Sequence, residues 1–171
     1  MMAIDLCTEK RSCWVIAYGN SQRGDDGIGP YVAQILDQHL GALPSVGIAC
    51  LPQLDLALLE EIQGADHLIF VDASVEALKD GVGWTQVTPE LNGWALDSHH
   101  LSPGAFLGLL ALLYDCKPVA WTVSVQGTHF EFSETLDPQT KHYARRAAVQ
   151  IVDWLFLHSI AIPKIKIEKR G

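Results

Sequence analysis

Three short stretches of this chain carry the residue types that hydrolytic or metal chemistry requires. The first is Gly19-Asn20-Ser21-Gln22-Arg23-Gly24-Asp25-Asp26-Gly27-Ile28-Gly29, a polar, glycine-bearing segment with two adjacent carboxylates. Two carboxylates can hold a cation. They can equally open a helix, accepting backbone N–H groups and favouring the positive end of its dipole. Both readings stand on the local pattern. Phosphate binding fits poorly, because the segment has neither GxGxxG nor GKS/T and its negative charges repel phosphate. The second stretch is Asp72, directly after the apolar run His67–Val71. It is either a strand-ending turn residue or part of a site. The third is Ser98-His99-His100-Leu101-Ser102-Pro103, where two imidazoles precede a helix start. A loop histidine without partners is simply solvated; with partners it is a ligand or a proton carrier.

Brought to one place, Asp26, Asp72 and His100 offer two oxygens and one nitrogen. That set suits a borderline divalent ion such as nickel or zinc and leaves coordination positions open, unlike a closed structural site. Other hydrolytic signatures are missing. The chain has no HExxH and no GxSxG, so nothing local supports a zincin or a nucleophile elbow. Nothing beside Cys7 or Cys13 suggests an activated thiolate. His129, in Val125-Gln126-Gly127-Thr128-His129, reads as a strand-end or turn residue that could border a groove. Trp84, Trp94, Trp121 and Trp154 read as packing residues.

The elements that must position these residues alternate between strand and helix. Cys13–Tyr18 is a short apolar run and reads as a buried strand. After the polar loop, Pro30 marks a first helical position, with Val32, Ile35, Leu36 and Leu40 at helical spacing and Gly41 as a stop. Val46–Leu51 is a second strand. Leu54–Ile62 has one apolar helical face. His67–Val71 is a third strand running into Asp72, and Gly83–Thr88 is a candidate edge strand. Ser102-Pro103 predicts a capped helix to about Tyr114. Pro118–Val125 is a further strand, and Asp137-Pro138 opens a long helix to about His158. Pro163–Gly171 reads as a frayed basic tail.

This pattern predicts an α/β fold: one three-layer domain over residues 1–171, with a mainly parallel sheet flanked by helices on both faces. Ligands of such sheets bind beyond the carboxyl ends of the strands, the edge where Asp26 and Asp72 both belong. Composition narrows the partners. The chain has 171 residues, 49% of them hydrophobic, and a net charge of −8. Disorder is excluded on that balance, and a general nucleic-acid binder needs the opposite charge. Met1–Arg11 is mixed and charged rather than signal-like, and no apolar run approaches the ~20 residues of a membrane span. The four cysteines, Cys7, Cys13, Cys50 and Cys116, form no CxxC pair and read as free thiols. The expectation is a soluble cytoplasmic monomer with no nucleic-acid or membrane partner.

GNSQRGDDGIG, the strand-ending VDAS and the motif HHLSP together resemble the hydrogenase maturation proteases. These endopeptidases trim the C-terminus of the large subunit of nickel–iron hydrogenases. The resemblance runs from about Trp14 to Trp154, and HHLSP is most similar to members serving soluble, bidirectional-type enzymes. It implies that Asp26 and Asp72 are the metal-contacting acids, that His100 rather than His99 is the histidine, and that Asp25 organises the loop. Gly19, Gly27 and Gly29 would permit tight turns and close approach of substrate backbone. Gln53 falls where family members usually carry a proline and an acid; Asp55 stands nearby and the proline is missing. The implied partner is a precursor of the large subunit, and the implied metal is nickel carried by that precursor on cysteine thiolates, with no tightly bound cofactor. Asp26, Asp72 and His100 would read that nickel, either to cut the chain or, as an alternative, only to bind it as a maturation chaperone.

Overall fold

The structure, a computed structural model, describes residues 11–90 and 101–160. Five strands form one sheet in the order β2-β1-β3-β5-β4. They are β1 (Cys13–Tyr18), β2 (Val46–Leu51), β3 (His67–Ser74), β4 (Val82–Val87) and β5 (Val119–Gln126). The first four in that order pair in parallel, and β4 runs antiparallel to β5 at the edge. Four α-helices accompany them: α1 (Ile28–Leu40), α2 (Leu58–Ile62), α3 (Pro103–Tyr114) and α4 (Pro138–Leu157).

Side chains alternate across the sheet, as the two-residue period of a strand requires. In β1, Cys13, Val15 and Ala17 pack with Val32 and Leu36 of α1 and with Ala144, Ala148 and Ile151 of α4. Trp14 and Ile16 face the other way, into a second core with Leu59 and Ile62 of α2 and Phe106 and Leu110 of α3. Both faces are covered, which is why β1 and β3 are apolar on successive residues. Each fully buried Ile or Phe contributes roughly 1.5–3 kcal/mol. The expected three-layer α/β architecture is therefore the one observed.

The capping signals work as read. Ser102 Oγ accepts from the Ala105 N–H at 3.1 Å, and Asp137 accepts from the Gln139 N–H at 2.8 Å, each with proline following. Strands β4 and β5 each sit one residue from the expected range, and three boundaries differ by two residues or more. The helix expected over Leu54–Ile62 is confined to Leu58–Ile62, because the Asp55 carboxylate accepts from the Ala57 N–H at 2.8 Å and holds a turn there. Helix α1 opens at Ile28, two residues before Pro30, after a tight turn over Gly24–Gly27. Strand β3 continues to Ser74, so Asp72 lies within the strand; pairing with β5, Asp72 opposite Ser124, carries it on. Trp94, Cys7, His99, His100 and the Pro163–Gly171 tail lie outside the described residues. Cys13, Cys50 and Cys116 are free. No helix among the described residues is long and apolar enough to cross a membrane.

Candidate functional site

Strand β1 is the branch point of the sheet. The chain leaves it toward β2 on one side, and β3 lies on the other. Such a switch point opens a crevice beyond the carboxyl ends of the strands. A hollow of about 530 Å³ lies there. Its described walls are the end of β1 with its loop (Tyr18 to Asn20, Arg23 and Asp26), Pro52–Leu54 after β2, Asp72 of β3, and Leu101–Pro103 at the start of α3. Two of the three candidate residues, Asp26 and Asp72, thus border one hollow. The third, His100, lies outside the described residues; its chain neighbour Leu101 is in the wall. Among the described residues no three His, Cys, Asp or Glu side chains form a metal-holding group.

Adjacent acids in one motif are put to different uses. Asp25 is fully buried. One carboxylate oxygen accepts from the Thr128 N–H at 2.8 Å, the His129 N–H at 3.0 Å and the Thr140 hydroxyl at 2.9 Å. The other accepts from the Asp137 N–H at 2.9 Å. Burial pushes its pKa up, but these four bonds outweigh that and hold it below the ordinary carboxylate range. Asp25 is thus an ionised clamp between the β1 loop and the segment joining β5 to α4. It does not cap α1, whose first residues receive no side-chain cap. Asp26, half-buried, turns to the hollow, where its Oδ2 accepts from the Asn20 N–H at 2.9 Å. Asn20 in turn accepts from the Gln22 N–H at 2.9 Å. Gly19, at φ +142°, lets the loop start; a Cβ there would run into the Asp26 carbonyl oxygen.

Asp72 sits in a drier setting. Burial, first, and the charge of Asp26 raise its pKa to about 6, while hydrogen bonds from the Ala73 N–H and the Tyr18 hydroxyl pull the other way. The Tyr18 phenol is pushed far above its ordinary value by burial and then by the Asp72 charge, so it remains a donor. Tyr18 is a site residue that the motifs did not announce. Its signal was positional: it ends β1 on the face shared by Trp14 and Ile16, one step beyond the Ala17–Val71 pair that precedes Asp72.

Other candidates take structural roles. His129 is largely exposed, its ring beside Thr128 and its backbone on Asp25; it is not among the described walls of the hollow. Gln53 borders the hollow, and Asp55 is spent on its turn. Burial pushes the Cys13 thiol up to about 12, which leaves it un-ionised and inert. Trp84 packs edge-on to Trp121 and stacks with Trp154.

No family model matches the chain, and no curated protein matches it in sequence. Solved structures match it in fold. The NiFe hydrogenase maturation protease HycI from Thermococcus kodakarensis KOD1 superposes with a TM-score of 0.67 at 23% identity, covering 86% of this chain and 93% of its own. The hydrogenase maturating endopeptidase HybD from E. coli gives a TM-score of 0.65 at 21% identity, over 85% and 93%. An endopeptidase from Escherichia coli gives 0.68 at 22% identity, over 85% and 93%. This chain therefore has the fold of the hydrogenase maturation proteases, the family its motifs resemble.

Proposed function

We propose that this protein is an endopeptidase that removes the C-terminal extension of the large-subunit precursor of a nickel–iron hydrogenase, and that it recognises the nickel already inserted there. The observation that carries the proposal is the shared hollow of Asp26 and Asp72 at the sheet's branch point, on the fold that NiFe hydrogenase maturation proteases adopt. In this reading residues 1–171 act as one cytoplasmic domain, and His100 completes the set as the imidazole donor.

The electrostatics support a checkpoint. Two carboxylates and one imidazole bind a borderline divalent ion only moderately and leave positions open, so the precursor's own ligands keep the ion. The precursor brings the nickel as part of the substrate. Asp72, with its pKa raised to about 6, holds its charge loosely, and an arriving cation favours the ionised form. Loss of that proton couples recognition to a basic group beside the scissile bond. The Asn20 N–H holds Asp26 in place, while Asp72 titrates at about 6. With that proton gone, the Asp72 carboxylate is free to accept one from attacking water.

The test is cleavage of nickel-loaded precursor by Asp26→Ala, Asp72→Ala and His100→Ala variants, read by intact mass. Loss of the shortened product with retained folding supports the proposal, and normal trimming by all three defeats it. A stable complex with no shortened product by the unaltered protein would assign a binding chaperone instead.

A further inference from the structure

Arg23 is the one cationic side chain among the described walls of the Asp26–Asp72 hollow. It pairs with neither acid. No hydrogen bond or ion pair joins its guanidinium to another described residue. Its backbone, by contrast, is pinned. The Arg23 N–H donates to the Asn20 carbonyl at 3.0 Å, and the Arg23 carbonyl accepts from the Asp26 N–H at 3.1 Å. On either side, the Gly24 N–H donates to Ser133 at 2.7 Å and the Ser133 N–H donates to Gln22 at 3.0 Å. Asp25, two positions on, is the buried clamp. The loop therefore fixes where this charge is rooted and leaves its guanidinium uncommitted.

Peptide hydrolysis, the reading on which this inference rests, makes a demand that the two acids cannot meet. The water oxygen bonds to the carbonyl carbon, and the carbonyl π pair moves onto oxygen as an oxyanion. When that pair returns, the C–N bond breaks and the amine departs, taking up both of the water's protons as an ammonium group. The new terminus is left as a carboxylate. Negative charge thus grows on an oxygen that had none. Asp26 and Asp72, when ionised, carry the same sign and oppose it. A guanidinium is permanently charged and presents several donors in a planar fork.

We propose that Arg23 is a catalytic residue that donates to the scissile carbonyl oxygen as its negative charge develops. The side chain is exposed in the free protein. A seated substrate chain excludes water around it, and the same charge then acts in a lower dielectric.

The experiment is steady-state trimming of nickel-loaded precursor by Arg23→Gln, Arg23→Lys and Arg23→Gly, with thermal midpoints measured alongside. Removing a positioned donor of this kind typically lowers kcat by about 100-fold or more, and that is the loss expected for Arg23→Gln. KM should stay within about threefold, because the interaction forms in the transition state and not in the bound substrate. Arg23→Lys should recover part of the rate, and added guanidinium should partly restore Arg23→Gly. The midpoints should not move, since the side chain bonds to no described residue. A kcat for Arg23→Gln within about threefold of the unaltered protein overturns the proposal. So does a loss expressed wholly in KM, which would make Arg23 a docking residue. Failure of the unaltered protein to shorten the precursor would instead defeat the endopeptidase reading, and this inference with it.

Discussion

Replacing Asp25 by alanine should remove more stability than any change at the neighbouring Asp26, although the two acids are adjacent in one motif. Four donors converge on the Asp25 carboxylate: the Thr128, His129 and Asp137 N–H groups and the Thr140 hydroxyl. Asp25 is 0% exposed and Thr140 1%. A buried donor left without its acceptor costs about 1–3 kcal/mol. Water can reach the donors nearer the surface, so Asp25→Ala should cost about 3–5 kcal/mol in all, more than one unsatisfied donor and in the upper tail of single-residue effects, where broken buried networks fall. Asp25→Asn keeps an oxygen for the three donors on Oδ2 but turns an amide against the Asp137 N–H; it should cost about 1–3 kcal/mol. Urea unfolding of the three proteins at pH 7 measures both differences. The acid limb gives an independent reading. Because the folded pKa lies below the ordinary value, the carboxylate's contribution is present above about pH 4 and is lost as pH falls through the folded value. Asp25→Asn should therefore flatten the loss of stability below about pH 4. A cost below about 1 kcal/mol for Asp25→Ala would refute the reasoning, because even one unmade buried bond reaches that size.

Three other consequences follow from the same geometry. Asp72 has a folded pKa of about 6, above its ordinary value, so the folded chain holds that proton more tightly and stability falls as pH rises from about 4 through 6. Asp72→Asn should raise the thermal midpoint at pH 7.5 while abolishing trimming, and kcat/KM of the unaltered protein should rise through about pH 6; an unchanged midpoint would contradict the burial argument. Ser102→Ala removes the cap on α3 and should cost about 1 kcal/mol in urea unfolding; no change would mean that the cap is redundant. Gly29→Ala would drive its Cβ into the Tyr18 carbonyl where α1 meets β1. It should cost about 1–3 kcal/mol in the same assay, and a variant as stable as the parent would show that the contact relaxes freely.

The secondary structure was legible wherever a local rule sufficed. Cys13–Tyr18 is apolar on successive residues because both faces of β1 are covered, and Ser102-Pro103 and Asp137-Pro138 mark helix starts through bonds to residues two or three positions on. The common edge for Asp26 and Asp72 followed from parallel strands. Strand order was not legible, because nothing local tells β1 that β2 and β3 will lie on its two sides. The division of labour between Asp25 and Asp26 was hidden for the same reason: Asp25's partners stand 103 to 115 positions away. The resemblance to a known family supplied that role where spacing left capping and metal binding open. Asp72 was read as following its strand, because its ladder with Ser124 depends on a neighbour 52 positions along the chain.

The central claim is that this hollow reads a metal on a partner chain before cutting it. One measurement bears on it directly: incubate the protein with the large-subunit precursor in nickel-loaded and nickel-free forms, and weigh the products by intact-mass spectrometry. The account predicts a single shortened product from the loaded form and an unaltered mass from the nickel-free form. Equal trimming of both forms, or of neither, would contradict it.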